Sequence, residues 1–192
     1  LDVDSRGKNS WVSGVRECLY QNGFGFVWLN QGVEYVNAFL KEFRQRLIDN
    51  RWQNWDEHIH RSDRFSFYRL FKSSTNCEKY LSLDIDRHIR YHMTRFRFGI
   101  TDITLHQYRY ANAATANMLC PLCKTGNEDE KHFLLCCPAF ADLRHRYIPQ
   151  KFYTDPNLFR SALLMASQSE IIVRNLCLYL YKSFKRRSIM LS

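Results

Sequence analysis

The sequence predicts a mainly α-helical protein, a multi-helix body with one small cysteine-rich module inserted late in the chain. Three observations predict it. Apolar residues recur at three- and four-residue spacing along most of the 192 residues. The chain has only 4 prolines, none of them before Pro121, so long helices are permitted. No convincing hairpin turn joins two alternating runs, which holds the expected strand content below about a fifth.

The elements follow in order. A first helix is expected over 10–21, with Trp11, Val15 and Leu19 on one stripe and Asn22-Gly23 stopping it. A short aromatic link, 23–29, leads to the clearest element. There Val33, Val36, Leu40, Phe43 and Leu47 repeat at helical spacing, continued less strictly by Trp52, Trp55 and Ile59. That pattern reads as one long helix bent near Asp49-Asn50, or as two in series. Ser62-Asp63 caps a short helix carrying Phe65, Tyr68 and Phe71, and a loop over 73–76 leads to Tyr80, Leu81 and Leu83. Asp86 opens a helix to about Phe98, with Ile89, Met93 and Phe96 inward and Gly99 ending it. Residues 101–110 are ambiguous, and 111–119 reads as a loose arm. Helices are expected again over 139–147, stopped by Pro149, and over 156–166 and 170–186. The expected core is Val36, Leu40, Phe43, Leu47, Phe71, Ile89, Met93, Phe96, Leu176, Leu180 and Phe184. Domain limits are placed at 1–30 (first helix and aromatic link), 31–117 (helical body), 118–148 (cysteine-rich module and following helix) and 149–192 (C-terminal helical pair with a basic end).

Composition excludes some classes. With 45% apolar and 15% aromatic residues the chain can cover the ordering cost of a folded core, so it is not disordered as a whole. The longest unbroken apolar run, 133–141, is about half a membrane span. No basic segment followed by an apolar stretch marks a secretion signal, so an intracellular chain is expected. Because Leu1 stands where a Met would, we expect a piece of a longer polypeptide. Formal charge is +9 and uneven. Residues 1–143 carry 19 basic and 17 acidic side chains, whereas 144–192 carry 9 and 2. A basic end suits a polyanion and equally suits a solubilising tail.

Seven cysteines is an odd number, and four of them fall between Cys120 and Cys137. The segment reads Cys120-Pro-Leu-Cys123, eight residues, His132, four residues, Cys137. A Cys-x-x-Cys pair places two thiolates on one ion, and His132 and Cys137, about a helical turn apart, close the tetrahedron. Residues 124–130 between them are polar and contain Gly126, which suits a turn. We therefore expect one structural Zn(2+) per chain on Cys120, Cys123, His132 and Cys137. Cys136 competes with Cys137 for the fourth position, since one residue moves a side chain by about 100° around a helix. A redox Cys-x-x-Cys would open a helix after a strand, and nothing upstream predicts that strand. Four protein ligands leave no open position for a catalytic water.

No other constellation supports catalysis. Asp84 and Asp86 lack a third acid, and Asp86 is more simply a cap. His88 and His92 are spaced i, i+4 but have Ile89 where a metalloprotease motif has Glu. His58 and His60 cannot share a helical face. A non-enzyme is expected. Three basic sets stand out: Arg87, Arg90, Arg95 and Arg97, alternating with Tyr91, Phe96 and Phe98; Arg144, His145, Arg146, Tyr147 and Lys151; and Lys182, Lys185, Arg186 and Arg187. Arg95, Arg97, Arg144, Arg146, Lys182, Lys185, Arg186 and Arg187 are the candidate phosphate contacts.

Leu119-Cys120-Pro121-Leu122-Cys123, the acidic Glu128-Asp129-Glu130, His132-Phe133-Leu134-Leu135, Cys137-Pro138 and Leu143-Arg144 together resemble a known motif. It is the cysteine–histidine motif near the C-terminus of non-LTR retrotransposon reverse transcriptases, in the form found in uncharacterised aquatic-animal proteins. Phe67-Tyr68-Arg69, Lys79-Tyr80-Leu81, Arg95-Phe96-Arg97, Arg109-Tyr110 and the exit Tyr147-Ile148-Pro149 extend the likeness upstream and downstream. The resemblance implies the same four ligands and leaves Cys136 spare, at a position commonly Glu or Lys. It implies a non-catalytic, nuclear-capable tail that binds RNA or DNA beside a polymerase part missing here, since no Tyr-x-Asp-Asp box occurs. The alternative is a structural zinc module for protein–protein or intramolecular docking, or a decayed element without present function.

Overall fold

The computed structural model describes residues 11–111 and 118–192; the segment expected as a loose arm lies largely outside them. Those residues are mostly helical and contain no sheet, only an isolated antiparallel bridge between Leu119 and Asn127. They divide into two compact units, one ending at Asp56 and the other Glu57–Ser192.

In the first unit, α1 (Trp11–Gln21) stops where expected. Gly23 has a φ of +82°, and the N–H groups of Gly23 and Phe24 donate back to the Tyr20 and Leu19 carbonyls at 3.1 and 2.8 Å. This is a Schellman stop, which needs a left-handed residue that glycine supplies without a Cβ penalty. Within the aromatic link, Gly25–Leu29 forms a short helix, α2. The long pattern becomes one helix, α3 (Val36–Arg61), whose last residues, from Glu57, belong to the second unit.

Part of the expected core is corrected here. Val36, Leu40 and Leu47 are exposed, at 55%, 53% and 41%, and Phe43 is half-buried. In the first unit α3 half-buries Phe39 and Phe43, stacked 5.5 Å apart and meeting the buried Phe24 edge-on at 5.6 and 5.3 Å; its one fully buried side chain, Ile59, lies in the second unit. Helices of 11 and 5 residues offer too little surface to cover every apolar position on a helix of 26. Periodicity marked the helix correctly and overstated its buried face.

The second unit is built around its last helix. One-turn 3₁₀ segments at Asp63–Phe65 and Tyr68–Leu70 replace the short helix expected there. Next come α4 (Lys79–Ser82), α5 (Arg87–Arg97) and α6 (Thr104–Ala111), the last resolving the ambiguous segment as helix. Asp86 caps α5, its carboxylate accepting from the His88 N–H at 3.1 Å. Gly99, with φ +63°, ends it by a second Schellman arrangement. After the cysteine-rich segment follow α7 (Ala141–Tyr147), α8 (Leu158–Met165) and α9 (Glu170–Leu191). Helices α4, α5 and α7 all pack on α9. Met93, Phe96, Leu176, Leu180 and Phe184 are buried as expected, while Phe71 and Ile89 are partly buried against the same core. Phe133 lies at its centre, its ring 4.7 Å from Phe184, 4.9 Å from Phe140 and 5.7 Å from Phe96. The cysteine-rich segment thus contributes its own aromatic side chain to the main core.

Candidate metal centre

Two local structures bring the four expected ligands together. The first is the knuckle over 118–128. Its two limbs pair through Cys120 N–H to the Gly126 carbonyl and Glu128 N–H to the Met118 carbonyl, both 2.8 Å. Lys124, at φ +58°, turns the chain after Cys123, and its N–H returns to the Cys120 carbonyl at 3.0 Å. The second is the turn from His132 to Cys136, which is wound as a π-helix. Asp129 starts it, accepting from the His132 N–H at 2.6 Å. The Cys137 N–H donates to the His132 carbonyl at 2.8 Å, an i to i−5 bond linking the two ligand residues directly.

That turn decides between Cys136 and Cys137. In an α-helix, at about 100° per residue, the residue four places after His132 would share its face and the fifth would point away. Widening to a π turn moves the fifth residue back onto the face of His132. Pro138 then bars Cys137 from helical backbone, and Cys137 leaves the turn at φ −56°, ψ 120°. The donor atoms of Cys120, Cys123, His132 and Cys137 all lie within 4.8 Å of one another, and Cys136 is not among them.

The donor set fits zinc. A tetrahedral site with ordinary Zn–S and Zn–N bonds separates two sulfurs by about 3.8 Å and a sulfur from a nitrogen by about 3.6 Å. The Cys120 and Cys137 sulfurs are 3.9 Å apart, and Cys123 Sγ lies 3.3 Å from His132 Nε2. Three thiols and an imidazole select a borderline-soft ion and leave no coordination position for substrate. The cluster is positioned to chelate one structural zinc per chain. Burial pushes the Cys120 and Cys137 thiols up, so loading them with metal releases protons. Burial lowers the His132 imidazole, which keeps it in the neutral form a ligand requires.

Residues that sequence reasoning missed surround the cluster. Glu128 is fully buried, with Oε1 4.0 Å from Cys120 Sγ. Beside three thiolates such a carboxylate needs compensation. Arg187 of α9 supplies it through a fork, Nε to Oε1 at 3.1 Å and Nη2 to Oε2 at 2.8 Å. The N–H and hydroxyl of Thr104, which opens α6, donate to the same carboxylate at 2.8 and 2.7 Å. Two places on, Glu130 holds His106 Nε2 at 3.2 Å and ion-pairs with Arg109. Burial raises the Glu130 carboxyl, but the His106 bond and the Arg109 charge outweigh it and hold the group below its usual value. The π turn is capped by side chains as well. Tyr179 Oη donates to the Phe133 carbonyl at 2.7 Å, and Arg144 donates to the carbonyls of Leu134 and Cys137. The acidic run at 128–130 and Arg144 were visible in the sequence as charge; only their partners were hidden.

The candidate phosphate contacts separate into two groups. Arg97 is 4% exposed and bonds Glu78 at 2.7 Å and the Met165 carbonyl at 2.8 Å. Arg144 and Arg187 are buried in the contacts above, and Arg186 grips Asp142 at 2.5 and 2.7 Å. Arg95 bonds the Ile100 carbonyl and Tyr91 Oη. Arg146, Lys182 and Lys185 remain exposed. Arg146 and Lys182 meet over one ring, that of Tyr147, while Lys185 lies in a cleft with Arg95 and Asp102. Of the weaker candidates, His88 pairs with Asp86, and His92 stacks on Phe184 at 5.5 Å.

No family model, no curated protein and no solved structure matches the chain. The metal centre is therefore read from its own geometry.

Proposed function

We propose that the chain is a non-catalytic docking module, in which a structural zinc fixes a helical surface that binds an apolar, acid-rimmed protein. The observation that carries this reading is the inward turn of the arginines. Arg97, Arg144 and Arg187 hold internal acids and carbonyls, and Arg186 is paired with Asp142. The second unit also exposes large apolar side chains. Phe159 and Leu163, one turn apart on α8, are 70% and 46% exposed, and Ile171 at the start of α9 is 72% exposed. The unit also exposes the cations Arg146, Lys182 and Lys185, which would favour an acidic partner. A zinc with four protein ligands stiffens such a surface and takes no part in chemistry. No described helix is long and apolar enough to cross a membrane.

The test begins with a photo-crosslinking residue at position 159 in cells, followed by binding measurements with the purified crosslinked protein. The reading expects direct binding that Phe159→Asp weakens by at least tenfold while helix content and zinc content hold. The competing reading, a nucleic-acid-binding tail of a retrotransposon-derived protein, expects something else. Affinity for single-stranded RNA or duplex DNA would fall steeply with salt, with a shallower slope after Arg146, Lys182 and Lys185 are neutralised. That result without a crosslinked protein would displace the docking reading.

A further inference from the structure

A cavity of about 290 Å³ lies away from the metal centre, between the 73–78 loop, α5 and the α8–α9 connection. Its wall includes Lys72, Lys79, Arg97 and Glu78, with the hydroxyls of Ser73, Ser74 and Ser167. Three cations face one carboxylate, so the lining carries a surplus of two positive charges. The lone acid is already engaged: Glu78 takes Arg97 Nη2 at 2.7 Å, Lys72 Nζ at 3.4 Å and Tyr68 Oη at 3.3 Å. No carboxylate among the described residues pairs with Lys79.

Two features set this cavity apart from a water-filled dent. The Lys72 side chain is 11% exposed, an unusual burial for an ammonium whose partners are the Asn76 carbonyl and a carboxylate shared with an arginine. Arg97 is 4% exposed, and with its Nη atoms on Glu78 and the Met165 carbonyl it brings a nearly buried positive charge to the wall. A buried guanidinium charge beside an ammonium and serines suits a tetrahedral oxyanion. The aromatic rings of Phe71 and Tyr80, 4.5 and 5.6 Å from the guanidinium carbon, hold its plane fixed.

We propose that this cavity binds a phosphate group, either as the free anion or as a small phosphomonoester. The surplus of two charges matches a dianion, and the volume sits at the small end of ligand pockets, room for a phosphate with a short carbon chain. The Lys72 ammonium would donate to its oxygens, with Arg97 and Lys79 contributing charge. This inference is independent of the docking reading, since it involves neither the zinc ligands nor α8's outer face.

The experiment is isothermal titration calorimetry of the zinc-loaded full chain with inorganic phosphate and, separately, with glycerol 3-phosphate. Saturable one-to-one binding is expected, weakened at least tenfold in Lys72→Gln and less in Lys79→Gln. Tighter binding of the ester identifies an organic ligand, and equal or tighter binding of phosphate identifies the free anion. Both variants leave the Arg97–Glu78 pair in place, and unchanged helix content checks that they fold. Absence of saturation by either probe up to about 10 mM would overturn the proposal. So would affinities that neither variant alters.

Discussion

Cys136 and Cys137 are neighbours with the same chemistry, yet the backbone gives them different work. The i to i−5 bond between Cys137 and His132, and Pro138 behind it, put Cys137 into the cluster and leave Cys136 outside. Cys137→Ser should therefore abolish stoichiometric zinc, whereas Cys136→Ser should retain one zinc per chain; elemental analysis of the purified variants checks both. Retention by Cys137→Ser would mean that the turn rewinds to α and recruits Cys136. Gly99 offers a second residue-scale test. Its φ of +63° is left-handed, and a Cβ there would stand 2.7 Å from the Arg64 carbonyl oxygen. Gly99→Ala should lower stability by more than about 1 kcal/mol, read from the urea midpoint. At this scale the ligand types and spacing were legible in the sequence, because Cys and His have few alternative uses in that pattern. The choice between adjacent cysteines was not, because it depends on helix winding, and a π turn has no side-chain signature.

Helix α9 is joined to the metal centre by side chains rather than by sequence proximity. Arg187 holds Glu128, and Tyr179, buried completely, donates to the Phe133 carbonyl of the π turn. Both lie on the face of α9 that also buries Leu176, Leu180 and Phe184. Removing one partner of a buried, hydrogen-bonded charge pair costs more than removing both, because the remaining charge stays desolvated. Arg187→Met should destabilise the chain by about 3 kcal/mol, and adding Glu128→Gln should recover part of that loss. Urea denaturation of the zinc-loaded single and double variants measures it. An additive double variant would show that the two side chains do not interact. The apolar stripe of α9 was legible from its period, but Arg187 was read as surface charge. A basic residue near the end of a helix is usually solvated, and only the fold reveals a carboxylate 59 positions away.

For the whole molecule, the two units differ in what holds them. The unit ending at Asp56 rests on a small aromatic cluster around Phe24, and much of α3's apolar surface is uncovered. Glu57–Ser192 has a continuous core into which the cysteine-rich segment inserts Phe133, Leu134 and Leu135, each at most 2% exposed. The periodicity of α3 was as clear as that of α9, and it misled for a physical reason: period reports amphipathicity, whereas burial requires a partner of sufficient area. Zinc should accordingly matter to one unit far more than to the other. Metal affinity is folding free energy wherever the ligands converge only in the folded state. Here the ligand turn is also part of the core, so chelation should loosen α5, α7 and α9 together. Hydrogen exchange before and after chelator treatment at neutral pH measures this. Amides of 87–97 and 170–191 should lose protection by at least tenfold, while those of 11–21 and 36–56 change little. Lowering the pH should produce the same pattern without chelator, because protons compete with the ion for three thiolates and an imidazole. If protection in α9 survived metal removal, the aromatic core around Phe133 would be self-sufficient and the zinc would brace the knuckle alone.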